Sequence, residues 1–236
     1  MGRNLHAMAL FLIVWCALTA AAWATNCPPS CQCNAGKVNC TSADLRDFAT
    51  KLPDDVHTLI LSRTEIPELP DLTALHSLKT LVIEQSPAEW LPTHLLDPLT
   101  RLVHLEIRDC ANLTELPDEL FHYQGSLRYL HLGNNALARV PRSLRELDQL
   151  RQLNLDGNPL ACDCQLFWLA NWLETRPKLE TSKSMKCRDT KLPLLEQLWQ
   201  LRYEHSSASQ NQALKQKDIY IFSKLALSSS NRIASS

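Results

Sequence analysis

The chain has 236 residues, with 24 lysines and arginines against 25 acidic residues and only five glycines. That length holds one repeat array with caps, or one ordinary domain and a tail. The near-neutral balance gives no electrostatic footprint for nucleic acid, and no basic run marks a membrane surface. A Gly-x-Ser-x-Gly elbow and a glycine-rich phosphate loop are both missing from the sequence, which removes the commonest hydrolase and nucleotide-binding readings.

Residues 1–24 read as a secretory signal. Arg3 supplies a positive n-region, Ala7 to Trp23 is uncharged and mostly apolar, and Ala22-Trp23-Ala24 fits the small-residue cleavage pattern. The apolar run is short for a membrane span. The mature chain is therefore expected to start at Thr25 and to be secreted. Export decides how the cysteines are read. Cys16 leaves with the signal, and eight remain. In an oxidising compartment, clustered cysteines point to disulfides before zinc.

Residues 25–55 form a cysteine-rich front segment with the spacing C-x3-C-x-C-x6-C, from Cys27 through Cys31 and Cys33 to Cys40. It sits just ahead of a repeating leucine pattern, where a stacked array needs a cap over its apolar end. Across residues 56–160 the pattern recurs at Leu59-x-Leu61, Leu81-x-Ile83, Leu105-x-Ile107, Leu130-x-Leu132 and Leu153-x-Leu155, spaced 22, 24, 25 and 23 residues apart. A period of about 20–29 residues built this way is a solenoid signature. Each L-x-L predicts a short strand with alternate residues in the core, and Ile66 and Leu69 continue the core of the first repeat. A small polar column follows the strands at Thr64, Ser86, Cys110, Asn135 and Asn158. It is expected to turn inward and satisfy backbone groups that the bend leaves unpaired. One extra residue between Cys110 and Leu113 predicts a local bulge. Leu69-Pro70, Leu91-Pro92, Leu116-Pro117 and Val140-Pro141 predict extended or turn backbone on the convex side.

Residues 161–205 change pattern. Leu166, Leu169, Ala170 and Leu173 fall on one helical face, which Pro177 should end. Residues 206–236 are polar and serine-rich, as in a disordered tail.

From Cys27 to about Tyr203 the chain resembles the extracellular leucine-rich-repeat proteins, with the insect-type adhesion and receptor ectodomains among them. The front cysteines look like that family's N-terminal flanking module. The Cys162-Asp163-Cys164 string, with its Trp168-Leu169 and Trp172-Leu173 steps, looks like the C-terminal one. The resemblance implies an α/β solenoid, a short horseshoe of about five repeats with disulfide caps. It implies the pairs Cys27–Cys33, Cys31–Cys40 and Cys162–Cys187. It also implies a partner for Cys164 near Ser206, where no cysteine stands. Cys164 is then a free thiol or half of a disulfide-linked dimer, and Cys110 is a buried free thiol. The loss of the pattern just before that cysteine suggests an alternative or truncated ending of a longer protein, and no membrane anchor is expected in the mature chain.

The function this implies is non-enzymatic recognition of an extracellular or cell-surface protein, in adhesion or receptor–ligand signalling. A secreted decoy or ligand for a longer transmembrane form is the alternative; innate-immune recognition and a secreted metal-dependent enzyme rank below it. The concave face is the expected binding surface. Its outward positions include Ile60, Val82, Glu84, His104, Glu106, Arg108, Tyr129, His131 and Asn154. Ile60 and Val82 are expected to form an exposed apolar pair, and His104, Tyr129 and His131 an amphipathic patch. His104, Glu106 and His131 have zinc-binding chemistry, but strands on a flat face converge poorly, so neither metal nor cofactor is expected. Asn39-Cys40-Thr41 and Asn112-Leu113-Thr114 are N-glycosylation sequons.

Overall fold

The computed structural model describes residues 27–43, 52–53, 55–66, 72–182, 184–188, 194, 196–198 and 200, with backbone alone at 73 and 164. The expected signal, the Leu69-Pro70 step and the polar tail lie outside these residues. Among the described residues, eight strands follow one another across one sheet in chain order. They are β1 Cys31–Asn34, β2 Lys37–Thr41, β3 Thr58–Ser62, β4 Thr80–Glu84, β5 His104–Arg108, β6 Tyr129–His131, β7 Gln152–Asn154 and β8 Glu180–Thr181.

β1 and β2 form an antiparallel hairpin, and every later neighbour pairs in parallel. The hairpin turn places Ala35 and Gly36 at φ 45° and 74°, the two left-handed residues that a tight hairpin turn demands. A Cβ on Gly36 would stand 2.7 Å from the His57 ring. Parallel strands need a crossover between them, and here the remainder of each repeat supplies it. Leu59, Leu81, Leu105, Leu130 and Leu153 stand side by side in register, and all are buried. Leu61, Ile83, Ile107, Leu132 and Leu155 form a second buried column. Burying one such side chain contributes roughly 1.5–3 kcal/mol, which a lone repeat cannot realise on its open sides.

The described parts of the crossovers are turns and 3-10 segments, Thr73–Leu75 and Arg142–Glu146 among them. Among the described residues one α-helix has defined ends, α1 (Phe167–Glu174), in the rear cap. The expected stripe on it is incomplete. Leu166, Leu169 and Ala170 are buried and Leu173 is half-buried, but Trp168 and Trp172 are buried as well. Arg145 and Arg176 cover those two rings, with guanidinium carbons 4.7 and 4.8 Å from the ring centres. The tryptophans therefore pack under long cations from neighbouring segments.

A second regularity follows the strands. Arg63, Gln85, Asp109, Asn134 and Gly157 all have φ between 52° and 69°. Each precedes a member of the small polar column. The left-handed step swings the next side chain under the sheet, where Thr64, Ser86, Cys110, Asn135 and Asn158 are all buried. Four of these five left-handed residues are not glycine, so the turn is held against a local cost. Gly157 is where the cost is avoided, and a Cβ there would stand 2.2 Å from Asn134 Oδ1.

The inward column secures the bend. Asn135 Nδ2 donates to Ile107 O at 2.7 Å and Leu132 O at 2.9 Å, and its Oδ1 accepts from Cys110 N at 2.9 Å. Asn158 Nδ2 donates to Leu132 O at 2.7 Å and Leu155 O at 2.9 Å, and its Oδ1 accepts from Leu137 N at 3.1 Å. Each asparagine thus serves its own turn and reaches back into the preceding repeat. Thr64 donates once, to Ser62 O at 3.2 Å; Ser86 donates to Thr64 O at 2.7 Å and accepts from Ala88 N at 3.3 Å. Cys110 offers a thiol to Arg108 O at 3.3 Å. The extra residue of the third repeat is absorbed by an exposed turn at Ala111 and Asn112, closed by Leu113 N donating to Cys110 O at 3.1 Å.

Cys27–Cys33 and Cys31–Cys40 cross-link the front hairpin, and Cys162–Cys187 ties the rear cap. These are the three pairs that the resemblance implies. Cys110 is a buried free thiol. The side chain of Cys164 lies outside the described residues, and with it the dimer expectation.

Asn135→Ala should lower stability by roughly 3 kcal/mol, because it orphans buried backbone groups in two repeats. Thr64→Val should cost about 1 kcal/mol or less, since one bond is lost. Urea unfolding of both variants is the check; equal losses would contradict the two-repeat role of Asn135.

Candidate functional site

Burial of one set of strand side chains commits the alternate set to the opposite, concave face. Register then fixes who sits beside whom. Glu84 lies beside Arg108, His104 beside Tyr129, and Glu106 beside His131. His131 in turn lies beside Asn154. The His104 and Tyr129 rings stack with centres 5.6 Å apart. His131 leans over Gly133, where a Cβ would stand 2.7 Å from Nε2.

A charged chain runs across the middle of this face. Ser62 donates to Glu84 Oε1 at 2.7 Å. Arg108 donates to the other Glu84 oxygen, to Glu106 Oε2 at 2.9 Å and to Asp109 Oδ2 at 2.8 Å. Glu106 Oε1 meets His104 Nε2 at 2.6 Å. Asp109 also accepts from Asn134 Nδ2 at 3.0 Å. Burial alone would raise the Glu106 carboxyl, but the hydrogen bonds and charges of His104 and Arg108 outweigh it and hold it below its usual range. The Asn134 hydrogen bond, with Arg108, lowers Asp109. Burial opposes the charge on Arg108, yet its carboxylate partners raise it further. Burial pushes the Cys110 thiol up, as an inert core thiol requires.

Toward the rear, the face deepens into a concavity of about 380 Å³, walled by Glu106, Tyr129, His131, Asn154 and the β8 residues Glu180 and Thr181. Gln152 donates to Glu180 Oε2 at 2.7 Å, and Ser182 donates to Asp156.

Seven of the expected face residues, Glu84, His104, Glu106, Arg108, Tyr129, His131 and Asn154, come together as one continuous half-buried surface. The expected exposed apolar pair does not form. Val82 is only 8 % exposed, while Ile60 is half-buried. Val82 is short and stands between Ile60 and Glu106 in register, so its neighbours shade it. Ser62 and Gly133 are buried too. Arg63, Gln85, Asp109, Asn134 and Gly157 belong to the left-handed turn, not to the strands. Glu180 and Ser182 had no signal in the sequence, because β8 carries no leucine pattern. Both oxygens of Glu106 are engaged by His104 and Arg108, which leaves the zinc reading little donor capacity. Among the described residues no three His, Cys, Asp or Glu side chains form a metal-holding group, and no helix is long and apolar enough to cross a membrane.

Both sequon asparagines are exposed. Asn39 stands in register with Ile60, so a sugar there would rise at the front of the concave face. Asn112 donates to Pro87 O at 3.3 Å, beside the convex side.

The lowered Glu106 fixes a direction for acid. Its folded value lies below its unfolded one, so its contribution is complete above about pH 5 and fades as pH falls through the folded value. The urea midpoint of the wild type should fall more steeply with acid below about pH 5 than that of Glu106→Gln; parallel curves would remove the network from the stability account.

Residues 100–160 match the family model described as leucine rich repeat. LTRK 1 of Lymnaea stagnalis, which carries a neurotrophin-receptor name, is 32% identical over 148 residues, covering 61% of this chain and 16% of that protein. Mouse chondroadherin is 38% identical over 90 residues, covering 35% of this chain and 25% of its own length. Mouse podocan is 30% identical over 122 residues, covering 50% of this chain and 16% of its own length. The chain thus spans a quarter or less of each of these relatives. Five in-register strands, a buried polar column after each and this match make the fold a leucine-rich-repeat solenoid, with disulfides at its front and rear.

Proposed function

We propose that this chain is a non-enzymatic recognition module that binds another protein outside the cell through its concave face. The observation that carries the reading is the prearranged surface from Glu84 to Asn154. An aromatic stack, two histidines and a carboxylate–arginine chain are held there by partners within the chain. Side chains already ordered lose little freedom on binding, and an aromatic group beside charges is common interface material. The relatives support the general role: one carries a receptor name, and all share the repeat. Export through the expected signal and sugars on Asn39 and Asn112 belong to the same proposal. A glycan on Asn39 would crowd the β2–β3 end, which directs a partner toward the rear half, around Tyr129, His131 and Asn154.

The test is a screen of the full chain against a panel of secreted and cell-surface ectodomains, followed by affinity measurement of each ligand found. Tyr129→Ala should weaken the genuine ligand about tenfold or more, as a hot-spot truncation does, without lowering thermal stability by a comparable amount. Ligands indifferent to Tyr129→Ala, His131→Ala and Glu106→Ala alike would overturn the concave-face assignment.

A further inference from the structure

A second surface lies on the convex side, away from the strands. Trp90 and Tyr123 are the exposed large hydrophobic residues among those described, at 52 and 55 %. Trp90 walls a groove of about 500 Å³ floored by Leu91, Leu116, Pro117, Val140 and Pro141. The segment carrying Leu116 is fastened beside that of Trp90 by Thr114 N donating to Glu89 O at 3.2 Å, and Ala138 N donates to Thr114 O at 3.3 Å. The floor is therefore a hydrogen-bonded stack of three repeats, not a loose loop. The rim is acidic. Glu115, Asp118 and Glu119 line it, and Glu89 precedes Trp90 in the chain. The basic residue at the groove, Arg139, is already held by Asp163, at 3.3 Å, and by Gln165. Glu115 and Glu119 have no side-chain partner among the described residues.

The other two described tryptophans show what is missing. Trp168 lies under Arg145 and Trp172 under Arg176. Trp90 carries no such cation from the described residues. A bare indole face beside unpaired carboxylates is suited to a cation, which the ring quadrupole and the acids attract together. We propose that the Trp90 groove docks a lysine- or arginine-bearing segment of a partner protein, separately from the concave face. The cation lies over Trp90, its charge meets Glu115 and Glu119, and its aliphatic stem covers the Leu116–Pro117 floor.

The test uses the purified full chain and a fluorescent, glycine-spaced arginine peptide, with a glutamine-for-arginine peptide as control. Anisotropy at low and at physiological salt reads the affinity. The arginine peptide should bind, more weakly as salt rises, and the glutamine peptide should bind about tenfold less well. Trp90→Ala and the double variant Glu115→Gln, Glu119→Gln should each weaken binding about tenfold, while Trp90→Phe keeps most of it. Tyr129→Ala, on the concave face, should leave it unchanged. The double variant removes charge without removing packing, so it decides the case if Trp90→Ala unfolds. No binding, equal binding of the two peptides, or loss in Tyr129→Ala with Trp90→Ala unaffected would each overturn the proposal. So would concentration-dependent self-association abolished by Trp90→Ala, which would assign the groove to a second copy. Binding seen only after removal of N-linked sugar would assign it to the glycan of Asn112.

Discussion

Each repeat must turn its backbone sharply after a short strand, and the polar groups laid bare by that turn sit against a leucine core. Water cannot reach them there, so an unmade bond costs about 1–3 kcal/mol per group. The inward column from Thr64 to Asn158 answers this constraint. The left-handed residue before each column member aims the next side chain beneath the sheet. The two asparagines then make three good bonds each, two of them to backbone oxygens and one to a backbone N–H. An amide has both donors and an acceptor on one rigid plane, which no hydroxyl or thiol matches.

The column is also what couples the repeats. Asn135 reaches Ile107 O and Cys110 N, so the third turn is satisfied mainly by the fourth repeat. That is why a cysteine can stand where the pattern calls for asparagine. Its thiol bonds only weakly, but the backbone around it is already served. The front turns at Thr64 and Ser86 have shorter hydroxyl side chains that make one and two bonds, fewer than the three of each asparagine. The antiparallel hairpin with its two disulfides stands next to that weaker end, where a cross-linked cap adds the most.

The same in-register stacking builds the binding surface. Strands on the concave face are separated by roughly 5 Å, so any long side chain touches its counterparts on both sides. On this face the result is a relay of contacts, from Ser62 through Glu84, Arg108 and Glu106 to His104, with Tyr129 stacked on the end. Arg108 meets three carboxylates, so its charge is spent within the chain. Ordering by partners inside the protein leaves little freedom to lose to a partner outside it.

The leucine spacing alone determined the five repeat strands β3 to β7, their parallel order, the buried columns and the polar column, because a period near 23 residues admits few other ways to bury the apolar face. The sites of the sequons and the cysteines were legible in the same way, as were seven of the face residues, since alternation in a strand assigns each side chain to a face. Alternation could not say how much of a side chain its neighbours cover. Val82 is covered on its own face by its neighbours for that reason, and Ser62 is covered where it bonds to Glu84. Nor could it show that Arg63 and Gln85 are turn residues, because neither residue type favours a left-handed φ. The acidic relay, the β8 wall and the bare ring of Trp90 depend on residues 20 or more positions apart being set side by side. Only the stacking of one repeat on the next decides that.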